Sequence, residues 1–278
     1  MNSIATPTND SFESGHYENF PVASILMPRK LRRPVQIIYA FARSADDFAD
    51  EGDVLDAVRL ANLEQYRLEL RKIEAGETTS SSLFSALAEV IRQHSLPLQP
   101  FYDLLDAFSQ DVVQKRYANF DELMEYCRRS ANPVGTLMLH LYRQATPENL
   151  LHSDAICSAL QLINFWQDVE IDYVKPRIYL PQNDMQRFGV KEKQIGEKIF
   201  DQKFSELMLF QIRRARNLIL SGEPLGRTLR GRIGLEMRMI IQGGLRILEL
   251  LEQQQGNMFT HRPKLQRKDW AVMVWRAL

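Results

Sequence analysis

Two cysteines, Cys127 and Cys157, are all that the 278 residues contain. That excludes a disulfide framework, and neither has a neighbour at zinc-ligand spacing. A reducing compartment is the expectation. Charge of one sign is lacking too. The 35 Lys and Arg balance the 35 Asp and Glu, so no global bias draws the chain to nucleic acid or an anionic membrane. No apolar run approaches the roughly 18–20 residues that span a bilayer. Alternating strand patterns are absent, turn dipeptides such as Asn-Gly are scarce, and no stretch rich in Gly, Ser or Pro marks a linker. The opening MNSIATPTNDSFESG is polar and has no charged start leading into an apolar run. It reads as a flexible tail over 1–15 rather than a signal peptide. These absences describe a soluble, cytoplasmic protein.

What is present is helical periodicity. RRPVQIIYAFARSADDFADE places Pro34 near a helix start and apolar residues at Val35, Ile38, Tyr39, Ala42 and Ala45. DAVRLANLEQYRLELRKIEAG is amphipathic and stops at Gly76. SLFSALAEVIRQHS, LQPFYDLLDAFSQDVVQKRY, FDELMEYCRRSANPVGTLMLHLYRQ and HSDAICSALQLINFWQDVEIDYV continue the pattern, as do EKIFDQKFSELMLFQIRRARNLILSG and LEMRMIIQGGLRILELLEQQQG. One all-α domain over 16–278, with about eight to ten helices, is predicted.

Two acidic rows stand out. Asn164, Asp168 and Asp172 follow at steps of four in QLINFWQDVEIDYVKPRIYLP, about 6 Å apart on one helix face. Their neighbours Leu162, Ile163, Phe165, Trp166 and Val169 are apolar. A second row, Asp46 and Asp50, lies in FARSADDFADEGD, flanked by Asp47 and Glu51 and only partly balanced by Arg43. Half-buried carboxylates need cations. Oxygen ligands without His or Cys suit Mg2+, which takes its remaining ligands from water and phosphate. Two such rows facing each other across a bundle would hold several Mg2+ ions around a diphosphate.

On these motifs the chain resembles the squalene and phytoene synthase family of head-to-head prenyl synthases. QLINFWQDVEIDYVKPRIYLP resembles the family's second signature, with Gln161, Asn164, Asp168, Asp172, Arg177, Tyr179 and Pro181 in place. DDFAD resembles its first aspartate-rich motif, YCRRSANPVG its third block, and HYENFPVAS its N-terminal diphosphate-contacting segment. The resemblance implies an all-α isoprenoid synthase bundle around a central apolar cavity. It implies Mg2+ ligands at Asp46, Asp50, Asn164, Asp168 and Asp172. It implies substrate contacts from His16, Asn19, Phe20, Arg43, Gln161, Arg177, Tyr179 and Arg262, where an Arg fork pairs bidentately with phosphate. Tyr126 matches an active-site tyrosine. Asp111 matches an acidic position near the metal site, or is a helix-surface charge. Phe20, Phe41, Phe165, Leu137 and Leu141 are candidates for the cavity wall, with core packing the alternative for each.

Gln167 stands where the family has Arg or Glu, Asn132-Pro133 where it has a small then an aliphatic residue, and Gly243-Gly244 where many members have Ile-Tyr. ENFPVAS, SANPVG and NFWQD together resemble the bacterial hydroxysqualene-forming branch. That branch is implied to ionise presqualene diphosphate and capture the rearranged cation with water, without NADPH. Tyr126, Asn132 and Gln167 are the candidates to hold that water, as amide and phenol groups can. Asn132 as a helix cap and Gln167 facing solvent or another helix are the alternatives. Condensation of two prenyl diphosphates to presqualene diphosphate, squalene or phytoene is the other reaction the motifs allow. Non-catalytic relatives tend to lack the aspartates retained here. Transient contact with neighbouring pathway enzymes is a further expectation. The arginines between 213 and 238 alternate with apolar residues and read as solvated helix faces, so no nucleic acid partner is expected. The closing KDWAVMVWRAL, with Trp270, Trp275 and basic flanks, is expected to pack onto the bundle. Peripheral contact with the inner membrane is the alternative.

Overall fold

Capping residues cut the helical pattern into its pieces. The computed structural model describes Met27–Leu278, and thirteen helices lie among those residues. His16, Asn19, Phe20 and the 1–15 tail lie outside them. The first four helices are α1 (Arg29–Asp50), α2 (Asp56–Ala75), α3 (Ser82–His94) and α4 (Gln99–Val113). Gly76 ends α2 in the left-handed conformation that its missing Cβ permits, and the Ser81 hydroxyl caps α3 by accepting from the Phe84 N–H. Pro34 lies inside α1 rather than at its start, because the helix extends back to Arg29. In the second turn its missing N–H leaves the Lys30 carbonyl without its usual helical partner.

The segment FDELMEYCRRSANPVGTLMLHLYRQ, predicted as one helix, is two: α5 (Phe120–Ser130) and α6 (Asn132–Leu141). Pro133 has no N–H to continue the ladder, so the chain breaks at Ala131. Next is α7 (Pro147–Val174), the longest helix, capped by the Thr146 hydroxyl with Pro147 at its first position. Its buried residues lie on more than one side, because α5, α6, α10, α11 and α12 all pack against it. The remaining elements are α8 (Gln182–Phe188), α9 (Glu192–Gly196), α10 (Gln202–Ser221), α11 (Pro224–Thr228), α12 (Gly231–Gln253) and α13 (Arg267–Ala277). The predicted eight to ten helices missed the short α8, α9 and α11, which are too brief to show a period.

Two apolar clusters organise the packing. One joins α1–α4 with Leu137 and Leu141 of α6, around Phe41, Phe84 and Phe101. The other joins α5, α7, α10 and α12 around Trp166, Phe204 and Leu248. Phe41, Leu137 and Leu141 are thus core residues, as the packing alternative held. One strand-like contact is present: Arg116 bridges Ile178 in parallel, and the N–H groups of Ile178, Gln182 and Asn183 donate to the carbonyls of Lys115, Tyr117 and Ala118. This strap ties the chain after α4 to the chain after α7. Among the described residues, no helix is long and apolar enough to cross a membrane.

Candidate functional site

The last turns of α1, α4 and α7 meet where this strap holds them. From α1, Arg43 donates to Asp46 at 3.0 Å and also pairs with Asp47 at 2.6 Å and Glu51 at 2.9 Å. Across the seam, Lys175 donates to Asp50 Oδ2 at 3.0 Å, and Arg177 Nη2 donates to Asp50 Oδ1. The same Arg177 nitrogen reaches the Asp111 carbonyl at 3.3 Å, and Lys115 Nζ donates to that carbonyl as well. Cations therefore gather at the C-terminal carbonyls of α4, where the helix dipole favours them. Arg177 Nε is buried with no hydrogen-bond partner among the described residues.

On α7, Gln161, Phe165, Asp168 and Asp172 follow at steps of four, three and four and share one face. Asn164 lies at the edge of that face and is exposed. Arg262, from the segment before α13, grips Asp168 with both Nε and Nη2, the latter at 3.0 Å. The two acidic rows sense each other. Burial, then the Asp168 charge and, more weakly, the Asp50 charge raise the Asp172 carboxyl to about 7, against Arg177 and Lys175. Burial and the Asp50 charge raise Asp46 to about 6. Burial would raise Asp50 too, but the hydrogen bonds and charge of Arg177 and Lys175 outweigh it and hold Asp50 below the usual range.

Behind the charges stands an aromatic wall. Phe165 and Tyr179 stack with centroids 3.7 Å apart, Tyr117 stacks on Tyr179 at 5.7 Å, and Tyr126 tilts against both Tyr117 and Tyr179. The Tyr126 hydroxyl donates to Asp111 Oδ2 at 2.7 Å, while Asp111 Oδ1 has no hydrogen-bond partner among the described residues. Burial pushes Asp111 up to about 7 and holds the Tyr126 and Tyr179 phenols well above their ordinary range, so both stay protonated. Asp111 is therefore a buried member of this cluster rather than a helix-surface charge. Tyr117 was not singled out from the sequence, although it ends the quoted VVQKRY. Only the strap turns its ring toward Tyr179.

Two predicted residues fall elsewhere. Ser158 donates to Asn132 Oδ1 at 2.8 Å, inside the contact of α6 with α7. Ser158 is ten residues before Asp168, about 15 Å along the helix. Gln167 is buried and its Nε2 donates to the Pro263 carbonyl at 2.7 Å. Nine positions separate it from Ser158, about two and a half turns of helix, so Asn132 and Gln167 address opposite sides of α7. Of the three candidates to hold the water, Asn132 and Gln167 therefore do not share one side of α7. Asn132 ties two helices together, and Gln167 pins the segment that carries Arg262.

The donor set tests the metal expectation. Among the described residues, no three His, Cys, Asp or Glu converge at single-ion spacing. The aspartates come instead as pairs on opposite helices, Asp46 with Asp50 and Asp168 with Asp172. Raised carboxyls at Asp46 and Asp172 are groups that a nearby cation stabilises as anions. Few carboxylates per ion, all hard oxygen, with the other ligands left to phosphate and water, is the pattern Mg2+ accepts.

Residues 14–269 match the squalene/phytoene synthase family. The chain belongs to that family. Family members are enzymes of prenyltransferase type, and the all-α isoprenoid synthase fold agrees with the helices above. The chain is 41% identical over 187 residues to the hydroxysqualene synthase of Zymomonas mobilis, an alignment covering 66% of this chain and 61% of that protein. It is 35% identical over 242 residues to the hydroxysqualene synthase of Rhodopseudomonas palustris, covering 84% and 80%. Relatives named phytoene synthase match as well. Among solved structures, the squalene synthase HpnC of Alicyclobacillus acidocaldarius superposes with a TM-score of 0.81 at 34% identity, covering 87% of this chain and 90% of that one.

Proposed function

We propose that the chain is a hydroxysqualene synthase, a Mg2+-dependent enzyme that converts presqualene diphosphate and water to hydroxysqualene, diphosphate and a proton. One observation carries the chemistry: two acidic rows with Arg177 and Lys175 between them, set against a wall of four aromatic rings. The relatives named hydroxysqualene synthase support the choice of reaction.

Asp46 and Asp50 would hold metal from one side, and Asp168 and Asp172 from the other, with Asn164 at the rim. When bound, Mg2+ supplies positive charge to the oxygens of the departing diphosphate. Arg43, Arg177, Lys175 and Arg262 pair with Asp46, Asp50 and Asp168, and they are the cations that a diphosphate placed between the rows would meet. An Arg fork suits that role because it meets two phosphate oxygens at once. Gln161 borders the same face. His16, Asn19 and Phe20 are assigned to the substrate by their sequence motif. Loss of diphosphate breaks a carbon–oxygen bond and leaves a cyclopropylcarbinyl cation. The stacked rings of Phe165, Tyr179 and Tyr117 give the site an apolar wall, and that wall would keep water away until the skeleton has rearranged. Tyr126, locked to Asp111, presents a neutral phenol that can hold the captured water without acting as a strong base. The greasy substrate and product favour work in the cytoplasm beside a lipid surface.

A second reading, condensation of two prenyl diphosphates, is favoured by the relatives named phytoene synthase. Incubation with presqualene diphosphate and Mg2+ in water labelled with heavy oxygen separates the two. Label in an alcohol product, with no effect of added NADPH, is expected. Squalene formed only with NADPH, or product formed only from simple prenyl diphosphates, overturns the proposal.

A further inference from the structure

The last helix, α13, has two apolar faces, and the bundle uses one. Met273 and Ala277 are buried against α12, and Arg246 of α12 donates to the buried Asp269 at 2.8 Å, which fixes the rotation of the helix. The opposite side carries Trp270, Val274 and Leu278 at steps of four, with Ala271 and Trp275 beside them. These stay in solvent: Trp275 is 77% exposed and Leu278 89%. Two exposed indoles on one helix are an expense a solvated surface does not need.

Basic groups stand at both ends of this stripe. Arg267 and Lys268 occupy the first turn, both exposed. At the other end, Arg227, Arg238 and Arg276 line a cleft of about 500 Å3 that closes against Ala277 and Leu278. Glu223 also lines that cleft and pairs with Arg227 at 3.0 Å, while Arg276 pairs with Glu249 at 2.6 Å. Across 263–278 there are four Lys or Arg and a single acid, Asp269, which is turned inward to Arg246.

We propose that the outer face of α13 is a membrane-docking surface whose partner is a bilayer containing anionic lipid. Indole rings suit the boundary between headgroups and acyl chains, since one edge is apolar and the N–H is polar. Lys and Arg flanking them meet the lipid phosphates. A second copy of the chain fits less well. An antiparallel pair of α13 helices sets the basic first turn of one copy against the basic last turn of the other. The stripe also supplies five residues, against about 20–30 a side in a stable interface. The inference stands on α13 and the basic residues beside it, independently of the reaction proposed above.

Vesicle flotation of the full chain tests it without measuring turnover. Vesicles of phosphatidylcholine with phosphatidylglycerol should retain the protein, and omitting the phosphatidylglycerol or raising the salt should weaken retention by about tenfold. Trp270→Ser combined with Trp275→Ser should weaken it by about tenfold or more, and Trp275→Ser alone, at a residue 77% exposed, should weaken it with thermal unfolding unchanged. On the unsubstituted protein, brominated lipid should quench the fluorescence of these two residues and spare the fully buried Trp166. Any of three results overturns the proposal. These are retention equal in the double variant and the parent, no quenching by brominated lipid, or dimerisation in sedimentation that the double variant abolishes.

Discussion

Asp111 shows how one residue can be held in an uncomfortable state by everything around it. Its side chain is 6% exposed, one oxygen accepts from Tyr126, and the other has no hydrogen bond among the described residues. Burial raises its carboxyl to about 7, although Arg177 and Tyr126 pull the other way. The folded protein therefore binds this proton more tightly than the unfolded chain does. Stability from this group is fully present below the unfolded value near 4 and is lost as pH rises toward 7. Asp111→Asn keeps an acceptor for Tyr126 and cannot ionise. Urea denaturation should show it more stable than the parent by about 1–2 kcal/mol at pH 8 and about equal at pH 4. A variant less stable at pH 8 would mean that Arg177 holds Asp111 ionised. At this scale, spacing alone revealed the rows of Asp46 with Asp50 and Asp168 with Asp172. Asp111 was legible only through resemblance, because nothing in FSQDVVQ marks one aspartate of α4 as buried.

Helices α6 and α7 cross where Gly135 lies against Ser153 and Cys157. A Cβ at Gly135 would meet Ser153 Oγ well inside contact distance and Cys157 Sγ at 2.7 Å. Gly135→Ala should therefore destabilise by about 1–3 kcal/mol, read as a lower denaturation midpoint. Combining it with Ser153→Ala should recover part of the loss, because the hydroxyl is the nearer obstacle. No recovery would show that the helices cannot separate at all. The sequence signals for elements were local and mostly readable. Gly76 ends α2 as the sequence indicates, whereas the segments read from His152 and Glu197 miss the starts that Thr146-Pro147 and the capping Asp201 set for α7 and α10. The same local signal in SANPVG was misread as a continuous helix, since periodicity on both sides of Pro133 outweighed the missing N–H. Asn132 and Gln167 show the same limit of a local reading. Their polarity was visible, but the partners that absorb it, Ser158 and the Pro263 carbonyl, lie 26 and 96 residues away.

Across the whole molecule, the site lies on the seam between the two apolar clusters. Asp50 belongs to the α1 side, whereas Lys175 and Arg177 follow α7, so their ion pairs join the two halves. A ligand bound at the seam should stabilise both halves together. Mg2+ with pyrophosphate is expected to raise the unfolding temperature of the parent by several degrees, as binding at about 100 times Kd adds about 2.7 kcal/mol. Arg177→Lys keeps the charge but loses the fork that reaches both Asp50 and the Asp111 carbonyl. Its thermal shift should fall to less than about half. An equal shift in both proteins would remove Arg177 from the diphosphate contacts.

The sequence by itself determined the all-α class, the two acidic rows and the family, because each is written in spacing along one helix or in a short motif. Only the tertiary structure decided which groups face one another. Asp50 meets Arg177 across 127 residues and Asp168 meets Arg262 across 94. The strap of 115–118 against 177–183 stacks Tyr117 on Tyr179. Periodicity reports which side of an element is apolar. It carries no information about which distant side chain arrives there, and that is set by packing α7 among its neighbours.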